Sequence, residues 1–220
     1  MGTLYSVATP IGNLEDITFR ALNTLKNVDL ILCEDTRVTS KLLKRYEIVT
    51  PTKTYHQHTS DKQITFFLDQ LKAGKNIAIV SDAGTPSISD PGTVLIAEAI
   101  SAGITVTPIP GASAIITALQ AAGVRTATFS FLGFIPHKKG RQTLLNKIAT
   151  EKGTMVFYES PHRILKTLAA LQDSNRHIVI GRELTKMHEE FVAGTAKEVY
   201  EDFANRPKIL GEFVVIVHDK

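Results

Sequence analysis

The chain has 220 residues, 43% of them hydrophobic and 21% charged, with a formal net charge of +3. This is the composition of a globular protein able to bury a sizeable core, and it excludes disordered and fibrous classes. One cysteine, Cys33, excludes an internal disulfide framework and a cysteine-rich metal site, and it suits a reducing cytoplasm.

Residues 1–8 lack the basic start of a signal peptide, and no apolar run approaches the length of a membrane span. Residues 5–8 read as a first strand. Asp16 is then placed to cap a helix with Ile17, Ala21, Leu22, Leu25 and Val28 on one face. Residues 29–33 form a second strand, followed by a helix around residues 41–46. Ile64, Phe67, Leu68 and Leu71 mark another helix, ended at Gly74. The apolar run 77–80 is a strand, 94–102 a helix and 104–109 a strand. Gly111-Ala-Ser113 opens a helix that stops at Gly123. Strands alternating with helices predict a mainly parallel sheet. The pattern loosens near 123–128, which places a domain boundary there, giving domains 1–122 and 123–220. The second domain carries strands near 129–132, 154–158, 177–180 and 212–217, with helices from 142, near 162–172 and near 197–204. Its irregular spacing predicts a mixed sheet.

Polar loops containing Gly or Pro recur after the strands of the first domain. They are Thr9-Pro-Ile-Gly-Asn13, Glu34-Asp-Thr-Arg37, residues 81–92 and Pro108-Ile-Pro-Gly-Ala-Ser113. On a parallel sheet such loops share one edge and line one cleft. The 81–92 loop is the richest. Helix capping by Asp90, with Pro91 at the first helical position, accounts for its end. It does not account for Asp82, Gly84 and Thr85. No dinucleotide fingerprint, phosphate-binding loop, zinc-protease helix motif or nucleophile elbow is present. His56 and His58 read as a solvated loop, so no metal site is expected.

Charge is unevenly spread. Residues 1–120 hold 10 Lys and Arg against 11 Asp and Glu, and residues 121–220 hold 15 against 11. No acidic residue lies between Glu98 and Glu151, a span that carries Arg125, Lys138, Lys139, Arg141 and Lys147. Such a stretch suits a phosphate backbone, though charge counting alone favours a scatter of solvated cations. Phe157-Tyr-Glu-Ser-Pro-His-Arg163 and Arg182-Glu-Leu-Thr-Lys186 also sit at strand ends, and either cluster reads as an ion-pair network or as part of a site.

The motifs Val7-Ala-Thr-Pro-Ile-Gly-Asn-Leu-Glu-Asp-Ile17, Glu34-Asp-Thr-Arg37, Ser81-Asp-Ala-Gly-Thr-Pro86 with Asp90-Pro-Gly92, Phe157-Tyr-Glu-Ser160 with His162-Arg163, and Arg182-Glu-Leu-Thr-Lys186 resemble the RsmI family. Its members are 2′-O-methyltransferases that act on a cytidine ribose in the decoding region of small-subunit ribosomal RNA. The resemblance covers nearly the whole chain. It implies the tetrapyrrole-methylase fold: two α/β domains with S-adenosylmethionine (SAM) in the cleft between them. By position it implies cofactor contacts from Pro10, Asp82, Gly84, Thr85, Ala112 and Ser113, with Phe157, Tyr158 and Leu184 from the second domain. The expected partner is small-subunit RNA, in the assembled 30S particle, met by a cytoplasmic homodimer. Longer members carry a helical segment beyond the last strand, which this sequence does not include.

For transfer to a ribose 2′-oxygen, the candidate proton acceptors or orienting groups are Glu34, Asp35, Glu159 and Glu183. Lys186 joins them if its pKa is depressed. Arg37, Arg163 and Arg182 are candidate phosphate clamps, and Lys138, Lys139 and Arg141 occupy a Gly-bounded loop suited to gripping RNA. Two other functions fit the same residues: a tetrapyrrole C-methyltransferase of the same fold, and a non-catalytic RNA- or nucleotide-binding module.

Overall fold

The structure is a computed structural model describing residues 1–220. The chain divides into two compact units, Met1–Ser113 and Ala114–Lys220.

The first unit holds β1 (Thr3–Val7), α1 (Phe19–Asn27), β2 (Leu30–Cys33), α2 (Thr36–Arg45), β3 (Thr52–Thr54), α3 (Asp61–Lys72), β4 (Ile77–Ile79), α4 (Thr93–Ser101) and β5 (Thr105–Ile109). The sheet is parallel throughout, in the order β3-β2-β4-β1-β5. Alternate strand residues enter two cores. Leu4, Leu32, Ile77 and Ile79 pack with Phe67, Leu71 and Leu95. Val7, Ile31, Cys33 and Ala78 pack with Leu25, Leu42 and Leu43. Burial on both faces makes these strands continuously apolar rather than alternating.

Two caps differ from expectation. Thr18, not Asp16, caps α1 by accepting from the Ala21 amide, while Asp16 ends a 3-10 turn over Leu14–Asp16 whose cap is Asn13. Gly92, not Asp90, precedes α4, and it carries no side-chain cap. Asp90 therefore has no capping role. The edge strand β3 was not predicted; only one of its three residues is even partly buried, so no hydrophobic pattern marks it.

The second unit holds α5 (Ala114–Ala121), β6 (Phe129–Phe134), α6 (Arg141–Thr150), β7 (Thr154–Glu159), α7 (Ile164–Leu171), β8 (His177–Arg182), β9 (Glu190–Thr195), α8 (Ala196–Ala204) and β10 (Phe213–His218). Its sheet runs β6-β7-β10-β8-β9, with β6 and β7 parallel and the other neighbours antiparallel, so it is mixed. Met155, Phe157, Ile180 and Val215 face a core closed by Leu145, Leu168 and Phe203. The helix α5 packs on β10, which is why the unit boundary falls before α5 and not after residue 122. No helix is long and apolar enough to cross a membrane.

Candidate active site

Four loops leave the carboxyl edge of the first sheet and are tied together by hydrogen bonds. Thr9 and Gly84 exchange both backbone bonds, at 2.9 and 3.0 Å. The Thr9 hydroxyl donates to the Ser81 carbonyl at 3.1 Å, and the Thr85 hydroxyl to the Ala112 carbonyl at 3.2 Å. The Asp35 amide donates to Asp82 Oδ1 at 3.1 Å. Residues 9, 35, 82, 84, 85 and 112, drawn from four separate motifs, thus form one constellation, with buried Pro10 and half-buried Ser113 beside them in the chain.

The backbone here is held away from its relaxed form. Gly84 has φ +85°, a backbone conformation that a side chain there would strain. Ser87 and Ser89 have φ of +68° and +63°. Five non-glycine residues in the chain have positive φ, and four lie in two motif loops: these two serines, and Glu183 and Thr185. Such conformations cost on the order of 1–3 kcal/mol each and persist where surrounding structure over-determines them.

Three carboxylates gather at these loops. Burial raises the Asp90 carboxyl to about 6, with Glu34 adding to the rise, a Ser81 hydrogen bond opposing it and Asp82 adding further. Burial and then Asp82 also raise Glu34, against a weaker pull from His56. Neither group is ion-paired to a lysine or arginine. Asp90 also lines a cavity of about 320 Å³ with Tyr55, His56, Gln57, Asp61 and Val94.

Asp35 differs from its neighbours. It is the N-cap of α2, accepting from the Arg37 amide at 2.8 Å, and it chelates the Arg37 guanidinium at 2.6–3.2 Å. Arg37 holds its carboxyl down at about 2. A group so acidic and so occupied is a poor proton acceptor. The Arg37 side chain is 88% exposed and partly neutralised by this pairing.

In the second unit the expected site residues are largely committed to each other. Glu159 has a fully buried side chain. Its Oε1 accepts from the Ser160 amide at 2.9 Å and pairs with Arg163 at 2.8 Å. Its Oε2 accepts from Thr167 at 2.6 Å and Arg141 at 3.3 Å. Both oxygens are used, so Glu159 is a structural anchor and not a base. Arg141 also donates to the Pro136 carbonyl at 3.3 Å and Arg163 to the Ile135 carbonyl at 2.8 Å. These two arginines clamp the protein's own turn, not a phosphate. Arg182 is spent on Glu190 at 2.9 Å and the Leu210 carbonyl at 2.6 Å.

Lys186 bridges Glu183 and Glu212, each at 2.9 Å. Burial lowers its ammonium, but the two carboxylates outweigh burial and raise it, opposite to what a base requires. Burial likewise raises Glu183, but hydrogen bonds from Lys186 and the Glu212 amide outweigh it and hold the carboxyl below its usual range. Strand alternation puts the Phe157 side chain in the helix-covered core, fully buried, and Tyr158 on the other face. The Phe157 ring thus packs in the core of its own unit. Leu184 packs against Gly181. Lys138 and Lys139 are exposed on the turn before α6.

The family model for tetrapyrrole (corrin/porphyrin) methylases matches residues 3–200. The chain belongs to the tetrapyrrole methylase family. Within that family it is 52% identical over 219 residues to a protein of Halalkalibacterium halodurans named ribosomal RNA small subunit methyltransferase I, covering 98% of this chain and 75% of the relative. A Thermotoga maritima protein of the same name is 46% identical over 222 residues, with both chains fully covered. Among solved structures, the uroporphyrin-III C-methyltransferase of Thermus thermophilus in complex with S-adenosylhomocysteine matches with a TM-score of 0.65 at 19% identity, covering 99% of this chain and 97% of that one. At that identity the likeness speaks to the fold, which is the two-unit α/β architecture of the family.

One residue at the site escaped sequence reasoning. Asp90 stands before a helix next to a proline, where capping is the ordinary explanation of an aspartate. Only the placement of Gly92 as cap frees it.

Proposed function

We propose that the protein transfers a methyl group from SAM to the ribose 2′-oxygen of a cytidine in the decoding region of small-subunit ribosomal RNA. The observation that carries this reading is the set of relatives, 45–52% identical over nearly the full chain, that bear the name ribosomal RNA small subunit methyltransferase I. The residues present fit the cofactor. Glu34, Asp82 and Asp90 supply negative charge that no lysine or arginine answers, which suits a ligand carrying a sulfonium and an ammonium. Asp82 is the residue assigned to the ammonium, and Ala112 and Ser113 to the carboxylate. Pro10, Gly84 and Thr85 shape the loop around the donor. Tyr158 and Leu184 are assigned the second-unit contacts that the resemblance implies.

SAM supplies the electrophilic methyl; the chain must orient the hydroxyl and take its proton. Asp90 is assigned that proton. It stands among the carboxylates of the donor loops, and its carboxyl, at about 6, is ionised at neutral pH yet more basic than an ordinary carboxylate. Glu34 supports it by repulsion. The protein is further proposed to act in the cytoplasm, as a homodimer, on the assembled 30S particle.

Incubation of the chain with labelled SAM and small subunits is expected to label the RNA at one cytidine and to make the following linkage resistant to alkali, as a blocked 2′-oxygen requires. Label on a base, or none, would overturn the reading. Asp82→Ala should weaken SAM binding at least tenfold by calorimetry; unchanged affinity would remove Asp82 from the donor site.

A further inference from the structure

The edge strand β6 carries three phenylalanines that regular alternation would not place together. Phe129 pairs with Thr154 and Phe131 with Val156, so both side chains lie on the sheet face opposite the helical core. Phe134, three residues on from Phe131, should point the other way. A bulge at Leu132 and Gly133, with Gly133 at φ +65°, shifts the register by one residue and pairs Phe134 with Tyr158. The rings of Phe131 and Phe134 consequently flank Tyr158, each with its centroid 5.2 Å away. Phe134 is 57% exposed and Phe129 39% exposed.

The turn that follows is exposed and basic: His137, Lys138 and Lys139, then Gly140. It lies in the stretch from 99 to 150 that has no acidic residue. It is also rigidly held. Arg141 and Arg163, both anchored on buried Glu159, grip the Pro136 and Ile135 carbonyls between the aromatic rings and the lysines. Lys138 is four positions on from Phe134, a span of about 14 Å at most.

Aromatic rings in a row beside fixed cations are the two elements that hold single-stranded nucleic acid: bases stack on the rings, and cations follow the phosphates. We infer that Phe131, Tyr158 and Phe134, with Lys138 and Lys139, form a stacking surface for unpaired nucleotides of the substrate RNA. Phe134 is the exposed ring on which a base lies. This rests on the RNA reading above and adds the residues that recognise the strand. A second copy of the chain is the other conceivable occupant of an exposed aromatic strand. It is disfavoured because a symmetric contact would bring a second set of the same lysines to this face.

The test uses the full chain and a fluorescently labelled single-stranded RNA of decoding-region sequence, followed by anisotropy across a salt series. Phe134→Ala is expected to weaken binding by roughly tenfold without changing the salt slope, and Phe134→Tyr to restore it. Replacing Lys138 and Lys139 together by Ala should weaken binding and reduce the salt slope by about 1–2. Phe134→Ala affinity equal to wild type would overturn the inference. So would a change in sedimentation with RNA affinity intact, which would make β6 an interface between copies. Methyl transfer to small subunits by the wild-type chain, run alongside, separates the two claims. If wild type methylates and the ring is neutral, only this inference falls; if wild type labels no RNA, the functional reading falls with it.

Discussion

The carboxylates of the two units look alike in sequence and behave oppositely in the structure. At the strand ends of the first unit, Glu34 and Asp90 are pushed up by burial first, then Glu34 by Asp82 and Asp90 by Glu34, with no lysine or arginine to answer them. At the strand ends of the second, Glu183 and Glu190 are drawn down by lysine and arginine partners that outweigh burial. Glu159 goes further, with both oxygens bound inside the protein. The first arrangement stores uncompensated charge, which an incoming cation relieves. The second consumes its charge in holding loops. An acid at a strand end is therefore informative only once its partners are known.

The largest expected effect tests the compensated side. Glu159→Ala leaves Arg141 and Arg163 facing a buried site without a counter-charge, which should cost about 3 kcal/mol or more in urea unfolding. It should also loosen the turn bearing Lys138 and Lys139. A loss below 1 kcal/mol would mean that this network is not the anchor described.

The uncompensated side predicts the reverse sign. The Asp90 carboxyl stands at about 6 in the folded chain against 3.8 as its ordinary value. The folded state thus holds its proton more tightly between these pH values, and stability falls as pH rises through them. Asp90→Asn should stabilise the fold near pH 8 by on the order of 1 kcal/mol, allowing for solvent screening of a half-buried group, and by nothing near pH 4. Urea midpoints at the two pH values check the sign. Methyl transfer by the same variant should drop sharply if Asp90 takes the proton. The smallest effect belongs to Arg37→Ala, an exposed pair whose removal should leave the urea midpoint where it was. A clear shift would show that the Asp35 cap depends on it.

Much of the architecture was legible from residue order. The apolar runs at 30–33 and 77–80, followed by amphipathic helices, announced a parallel sheet because strands buried on both faces must be apolar throughout. Gly84 and Thr85 stood out because a turn or a cap alone does not require them. The edge strands β3 and β9 were not legible: their side chains are half-exposed, and pairing with a neighbour, not burial, defines them. The family resemblance was likewise readable in the motifs, and the relatives bear it out.

Local sequence by itself determined the buried sheet strands, most helices and the four loops of the first unit, since periodicity and turn chemistry act over a few residues. Only tertiary structure decided which charged groups are free. Arg141 meets Glu159 across 18 positions, Asp35 meets Asp82 across 47, and Thr85 meets Ala112 across 27. The bulge that turns Phe134 toward Tyr158 is likewise a property of strand pairing. Electrostatic and packing partners are chosen by distance in space, and no local pattern encodes that distance.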